Sequence, residues 1–87
     1  MLGKEWFGSL YYGTPEAERK VLGAFAKYDD GAQVSVVASV LGKPLGQVTL
    51  LTRRLIERGE LVKLSRGKYR VFAKVYGTYV LRTGNSQ

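Results

Sequence analysis

Ala38, Gly42 and Val48 are spaced so that few arrangements of the chain satisfy all three. An alanine four residues before a glycine lets a second helix approach the first closely, and the glycine supplies the positive φ on which a helix ends. Pro44 bars the first helix from continuing. Val48 is then an apolar anchor on the second helix, and Leu41 and Leu51 complete the apolar set. This spacing predicts two helices meeting at a sharp angle across a short glycine turn.

The surrounding pattern supplies their neighbours. Trp6, Phe7, Leu10 and Tyr11 recur at helical spacing over Gly3 to Tyr12, although Gly8 weakens that helix. Thr14, Pro15, Glu16 and Glu18 read as a helix start, with Thr14 as the N-cap and Pro15 at the first helical position; Val21, Leu22 and Phe25 carry its apolar face to about Tyr28. Ser35 is the N-cap candidate for the short helix Val36 to Leu41. The next helix runs from Leu45 to about Arg58, with Val48, Leu51, Thr52 and Leu55 facing inward and Gly59 ending it. Gln47, Thr49, Leu50, Arg53, Arg54 and Glu57 then lie outside or at its margin.

Past Gly59 the period shortens. Leu61 to Leu64 and Tyr69 to Phe72 read as two strands joined by a cationic tip, residues 65–68. Phe72, Val75, Tyr76, Tyr79 and Val80 return to helical spacing, with a continued strand as the alternative over 73–82. Thr83 to Gln87, small and polar, are expected to fray. The segments are therefore an aromatic N-terminal helix (1–13), a central unit (14–72) and a C-terminal helix with its tail (73–87).

The charge is unevenly placed. Residues 1–30 carry four basic side chains against five acidic, and residues 31–87 carry ten against two. So one-sided a field favours a polyanion, because each phosphate neutralised releases condensed counterions. With no histidine and no cysteine, disulfides, thiolate metal sites and the commonest general base are lost together, and the only tight acidic pair is Asp29-Asp30 beside Gly31. We expect no enzyme, no bound metal or cofactor and no small-molecule substrate. No apolar run is long enough to cross a membrane and no signal peptide is visible, so the expected setting is cytoplasmic.

Helix, short helix, glycine turn, longer helix and hairpin follow one another from about Thr14 to Phe72, through the junction "RRLIERGELVK" and the hairpin "SRGKYRV". In that order they resemble the winged helix-turn-helix superfamily over roughly two thirds of the chain. The resemblance implies an α+β, mainly α fold: a three-helix core, a β-hairpin wing and flanking helical segments. It also implies a double-stranded DNA-binding module, with the helix at 45–58 in the major groove and the wing at 65–68 on the neighbouring backbone. Carried onto this sequence, Gln47 and Thr49 would reach base edges and Arg53 a guanine or a phosphate. Arg54, Lys43, Lys63, Arg66, Lys68 and Arg70 would hold phosphates. Leu50 stands where many DNA-reading relatives are polar or basic, and would meet a thymine methyl or mark a surface for protein.

The flanks "EWFGSLYYGTPEAERKVL" and "YRVFAKVYGTYVLR" are similar to segments around the C-terminal winged-helix domain of archaeal AAA-type, origin-recognition-related ATPases. That resemblance implies a domain of a larger protein in replication or transcription, although this sequence holds no phosphate-binding G-x-x-x-x-G-K-[ST] loop. It leaves open a second use of the fold, docking of an ATPase domain or homodimerisation through Trp6, Phe7, Tyr11, Tyr76 and Tyr79. The simpler reading of the N-terminal aromatics is a lid over the small core.

Overall fold

A computed structural model of the chain describes the backbone of residues 3–85 and the side chains of residues 6–84. Among the described residues five helices and three strands follow in the order α1 (Gly3–Tyr12), α2 (Glu16–Ala26), β1 (Ala32–Gln33), α3 (Val34–Leu41), α4 (Leu45–Glu57), β2 (Leu61–Ser65), β3 (Lys68–Val71) and α5 (Lys74–Asn85). The fold is α+β and mainly helical, and its three strands are antiparallel in the order β1-β3-β2. Helices α3 and α4 meet at a bend of 117°. No single described helix is long and apolar enough to cross a membrane.

Gly42 makes that bend possible. Its φ of 65° carries the chain out of α3, while the Lys43 N–H donates back to the Ala38 carbonyl at 3.0 Å. A side chain at Gly42 would be strained in this left-handed region even though open space surrounds it. The same device ends α4, where Gly59 has φ 81° and the Glu60 N–H reaches the Leu55 carbonyl at 2.9 Å.

The core lies between α2, α3, α4 and α5. Val21, Leu22 and Phe25 from α2 meet Val37 from α3, Val48 and Leu55 from α4, Leu61 from β2 and Tyr76 from α5, all fully or almost fully buried. Each such side chain contributes about 1.5–3 kcal/mol when removed from water. Thr52 also faces inward, as its spacing predicts, but its buried hydroxyl has no hydrogen-bond partner among the described residues.

Several local expectations are corrected. Thr14 does not cap α2: Pro15 takes the N-cap position, and the Thr14 hydroxyl turns inward between the Leu10 carbonyl (2.8 Å) and the Glu60 carboxylate (2.7 Å). A buried carboxylate outcompetes the helix end for that hydroxyl. Ser35 does not cap α3, which starts at Val34, because the Val34 N–H is already taken by the Gly67 carbonyl at 2.9 Å through the pairing of β1 with β3. Strand β1 itself is too short to show a period. Phe72 lies outside α5, since its N–H donates to the Glu60 carbonyl at 3.1 Å. Residues 73–82 are helical from Lys74 onward, and the helix takes in Thr83 and Gly84 rather than fraying at Arg82. Residues 86–87 of the expected tail lie outside the described residues.

Helix α1 closes the molecule against α5 and the end of the hairpin. Phe7 packs on Tyr76 at 5.2 Å between ring centroids, and Trp6 meets Phe72 edge-on at 5.7 Å. Gly8 is explained by this approach: a Cβ there would stand 3.3 Å from the Tyr79 hydroxyl. Of the four aromatics read as a lid, Phe7 and Tyr11 pack on the core, while Trp6 and Tyr12 are 51% and 57% exposed. As a partner surface the aromatic set is corrected, because Tyr76 is 0% and Tyr11 4% exposed; of the five aromatics assigned to it only Trp6 is largely open, at 51%.

Candidate nucleic-acid interface

Helix α4 turns one face to the core and leaves the other to solvent. Val48, Leu51, Thr52 and Leu55 are buried, so Gly46, Gln47, Leu50, Arg53 and Glu57 fall on the outward side, and all five are exposed. Thr49 is half-buried, and its hydroxyl donates to the Leu45 carbonyl at 2.8 Å. Its lone pairs and methyl, rather than its proton, are what it presents outward. Leu50 is 46% exposed and, with Leu45, makes the outward face partly apolar.

Gly46 is informative. A glycine in a helix weakens it by up to about 1 kcal/mol relative to alanine. An added Cβ at Gly46 would meet nothing within 4 Å, so no packing within the chain requires the absence of a side chain. It keeps the first turn of α4 bare toward solvent.

The arginines of α4 divide. Arg53 is exposed. Arg54 lies 3.9 Å from the buried carboxylate of Glu18 on α2 and is partly engaged by it. That places Arg54 at the margin nearest α2.

The hairpin supplies the second group of cations. Ser65 pairs with Lys68, so the tip is Arg66-Gly67 alone, with Gly67 at φ 75°. Lys68 sits beside Gln33 across β1, and the pleat puts it and Arg70 on the sheet face opposite Tyr69 and Val71. Lys63 pairs with Tyr69 and shares the Tyr69 face. The four hairpin cations therefore do not form one row. Arg70 is further tied down, its guanidinium donating to the Val71 carbonyl at 3.2 Å. Lys43 is half-buried in the turn between α3 and α4.

Burial takes an acid from the surface in each half of the chain, Glu18 in residues 1–30 and Glu60 in residues 31–87. Of the two carboxylates in residues 31–87, Glu60 is fully buried and Glu57 is exposed. Glu60 accepts from the Tyr76 hydroxyl at 2.6 Å and from Arg58 Nε at 3.2 Å, beside Thr14. Arg58 also donates to the Gly13 carbonyl. This cluster ties the entry of β2 to the α1–α2 turn and to α5. Burial, the hydrogen bond to Glu60 and its charge together raise the Tyr76 phenol well above its ordinary value of 10.0.

Neither the Glu60 cluster nor the Glu18–Arg54 pair was legible in sequence. A carboxylate following a helix-ending glycine reads as solvated, and only the burial of Glu60 among Thr14, Arg58 and Tyr76, brought together by the fold, shows otherwise. No family model, curated protein or solved structure matches the chain.

Proposed function

We propose that this chain is a winged helix-turn-helix module that binds double-stranded DNA, with the outward face of α4 in the major groove and the β2–β3 hairpin as a wing against the phosphate backbone. The observation that carries the reading is the outward face of α4: Gln47 and Arg53 are exposed beside a bare first turn at Gly46, on a helix held at 117° to α3. A side chain absent without internal reason is what close approach to a second backbone requires. Arg53 and Gln47 have the donor geometry to read guanine and adenine edges, and Arg66 and Lys68 have the reach to grip phosphate. Leu50 then meets a thymine methyl. Docking of an ATPase domain or self-pairing through the aromatic lid is the weaker reading, because its two central tyrosines face the core.

Fluorescence anisotropy with a labelled duplex of random sequence tests the reading. Four to six phosphate contacts predict that affinity falls about 10²- to 10³-fold between 50 and 200 mM salt, from a slope of roughly 0.9 per contact. Absence of binding at 50 mM, or an affinity indifferent to salt, contradicts it.

A further inference from the structure

A groove of about 360 Å³ opens on α2, lined by no residue of α4 or of the hairpin. Its α2 wall is a single helical stripe from Glu16 to Lys27, spaced i, i+3, i+4, i+7, i+8 and i+11. At 1.5 Å per residue that is a trough about 16 Å long, three turns of helix. Val40 and Leu41 of α3 form one flank, and Val80 and Leu81 of α5 the other.

Three features point to an occupant. Gly23 stands at the middle of the stripe and in the interior of α2, where glycine is unfavourable, yet an added Cβ would touch nothing within 4 Å. Nothing within the chain needs the space that it leaves. Val40, on the flank, is 51% exposed. The rim is cationic: Lys20 and Lys27 are exposed, and Arg19 is held in place by its Nε bond to the Thr14 carbonyl at 2.8 Å and by the rings of Tyr11 and Tyr12 at 5.4 and 5.7 Å. Glu16 is the one acid in the lining.

We infer that this groove binds an amphipathic helix of a partner protein, three to four turns long, whose apolar stripe enters between α3 and α5 over Gly23 and whose acidic flanks meet Arg19, Lys20 and Lys27. The trough has the length of such a helix, a floor for residues at i, i+3/i+4 and i+7, and the opposite charge along its lip. The inference does not depend on DNA binding, since no residue of α4 or of the hairpin lines the groove.

The test is a ¹H–¹⁵N shift titration of the full chain with a 16-residue peptide carrying leucine at i, i+3, i+4 and i+7 and glutamate on both flanks. A second peptide has every glutamate replaced by lysine. We expect the acidic peptide to shift the amides of Gly23, Leu41 and Leu81, and Lys20→Glu with Lys27→Glu to weaken it by about tenfold or more. Gly23→Leu fills the trough and abolishes the shifts. The double lysine variant changes only exposed side chains, so it decides the matter if Gly23→Leu fails to fold. Equal binding of the lysine peptide overturns the inference, as do shifts confined to other faces. So do groove shifts that appear on raising protein concentration alone, which signal a second copy, or displacement of the peptide by sodium decanoate, which signals a site for small amphiphiles.

Discussion

Replacing Arg53, Arg66 and Lys68 together by alanine is expected to lower affinity for random duplex DNA about 100-fold at low salt, taking each contact at about 1 kcal/mol, and to reduce the salt slope by roughly 2.7. The three belong to the two elements proposed to touch DNA, one on the outward face of α4 and two at the end of the hairpin. None makes an ion pair among the described residues, so removing them deprives no partner of charge. Folding stability should therefore stay within about 0.5 kcal/mol. Lys20→Ala with Lys27→Ala, on the α2 groove, removes two charges from another element and should leave DNA affinity nearly unchanged, against the loss of about 20-fold or more expected from Arg66→Ala with Lys68→Ala, which removes the same number. Anisotropy titrations and thermal melts of these variants measure both effects. If the α4–hairpin variant binds like the unmodified chain, or the α2 variant loses as much, binding follows net charge and not this surface.

The second large effect concerns Glu60. Its carboxylate is fully buried and serves Tyr76, Arg58 and Thr14 at once. Glu60→Leu leaves the buried Tyr76 phenol and the Arg58 Nε without their acceptor, Arg58 keeping only the Gly13 carbonyl, and is expected to remove about 3–5 kcal/mol. A domain has only about 5–15 kcal/mol in total, and at about 4–8 °C per kcal/mol for a chain of this size the variant should melt roughly 12–40 °C lower. The same cluster gives a pH dependence. The folded state holds the Tyr76 proton more tightly than the unfolded chain, whose phenol titrates near its ordinary value of 10.0. Stability from this group is complete below pH 10 and declines above it, by up to about 1.4 kcal/mol per pH unit. Tyr76→Phe, itself less stable through the lost bond to Glu60, should lack that part of the alkaline decline. Urea denaturation of both proteins between pH 8 and 11 measures the difference. Parallel stability curves above pH 10 would show that the phenol titrates alike folded and unfolded.

Periodicity carried most of the fold. The inward positions of α4 were legible because Val48, Leu51, Thr52 and Leu55 follow the helix repeat, and the turn before it because Gly42 and Pro44 each permit little else. What the sequence concealed was set by distant partners. Thr14 has the chemistry of an N-cap, but a hydroxyl bonds the better acceptor within reach, and Glu60 comes from 46 residues away. Ser35 was displaced as a cap by a strand of two residues that exists only because β3 is there to pair with it. In the candidate interface, exposure of Gln47 and Arg53 followed directly from the period of α4. The division of the hairpin cations between two faces did not, because it depends on the register in which Lys63 meets Tyr69. The α2 groove was invisible for a related reason: Gly23 reads as a weak point in a helix until the space above it is seen to be open.

If α4 meets DNA with its outward side, residue-resolved mapping of the bound chain will place the contact there. In a ¹H–¹⁵N titration with a duplex at low salt, the largest saturable shifts should fall on residues 46–53 and on Arg66 to Lys68, with the amides of Gly23 and Leu81 unmoved. Shifts centred on the aromatic lid or the α2 groove, with α4 silent, would contradict it.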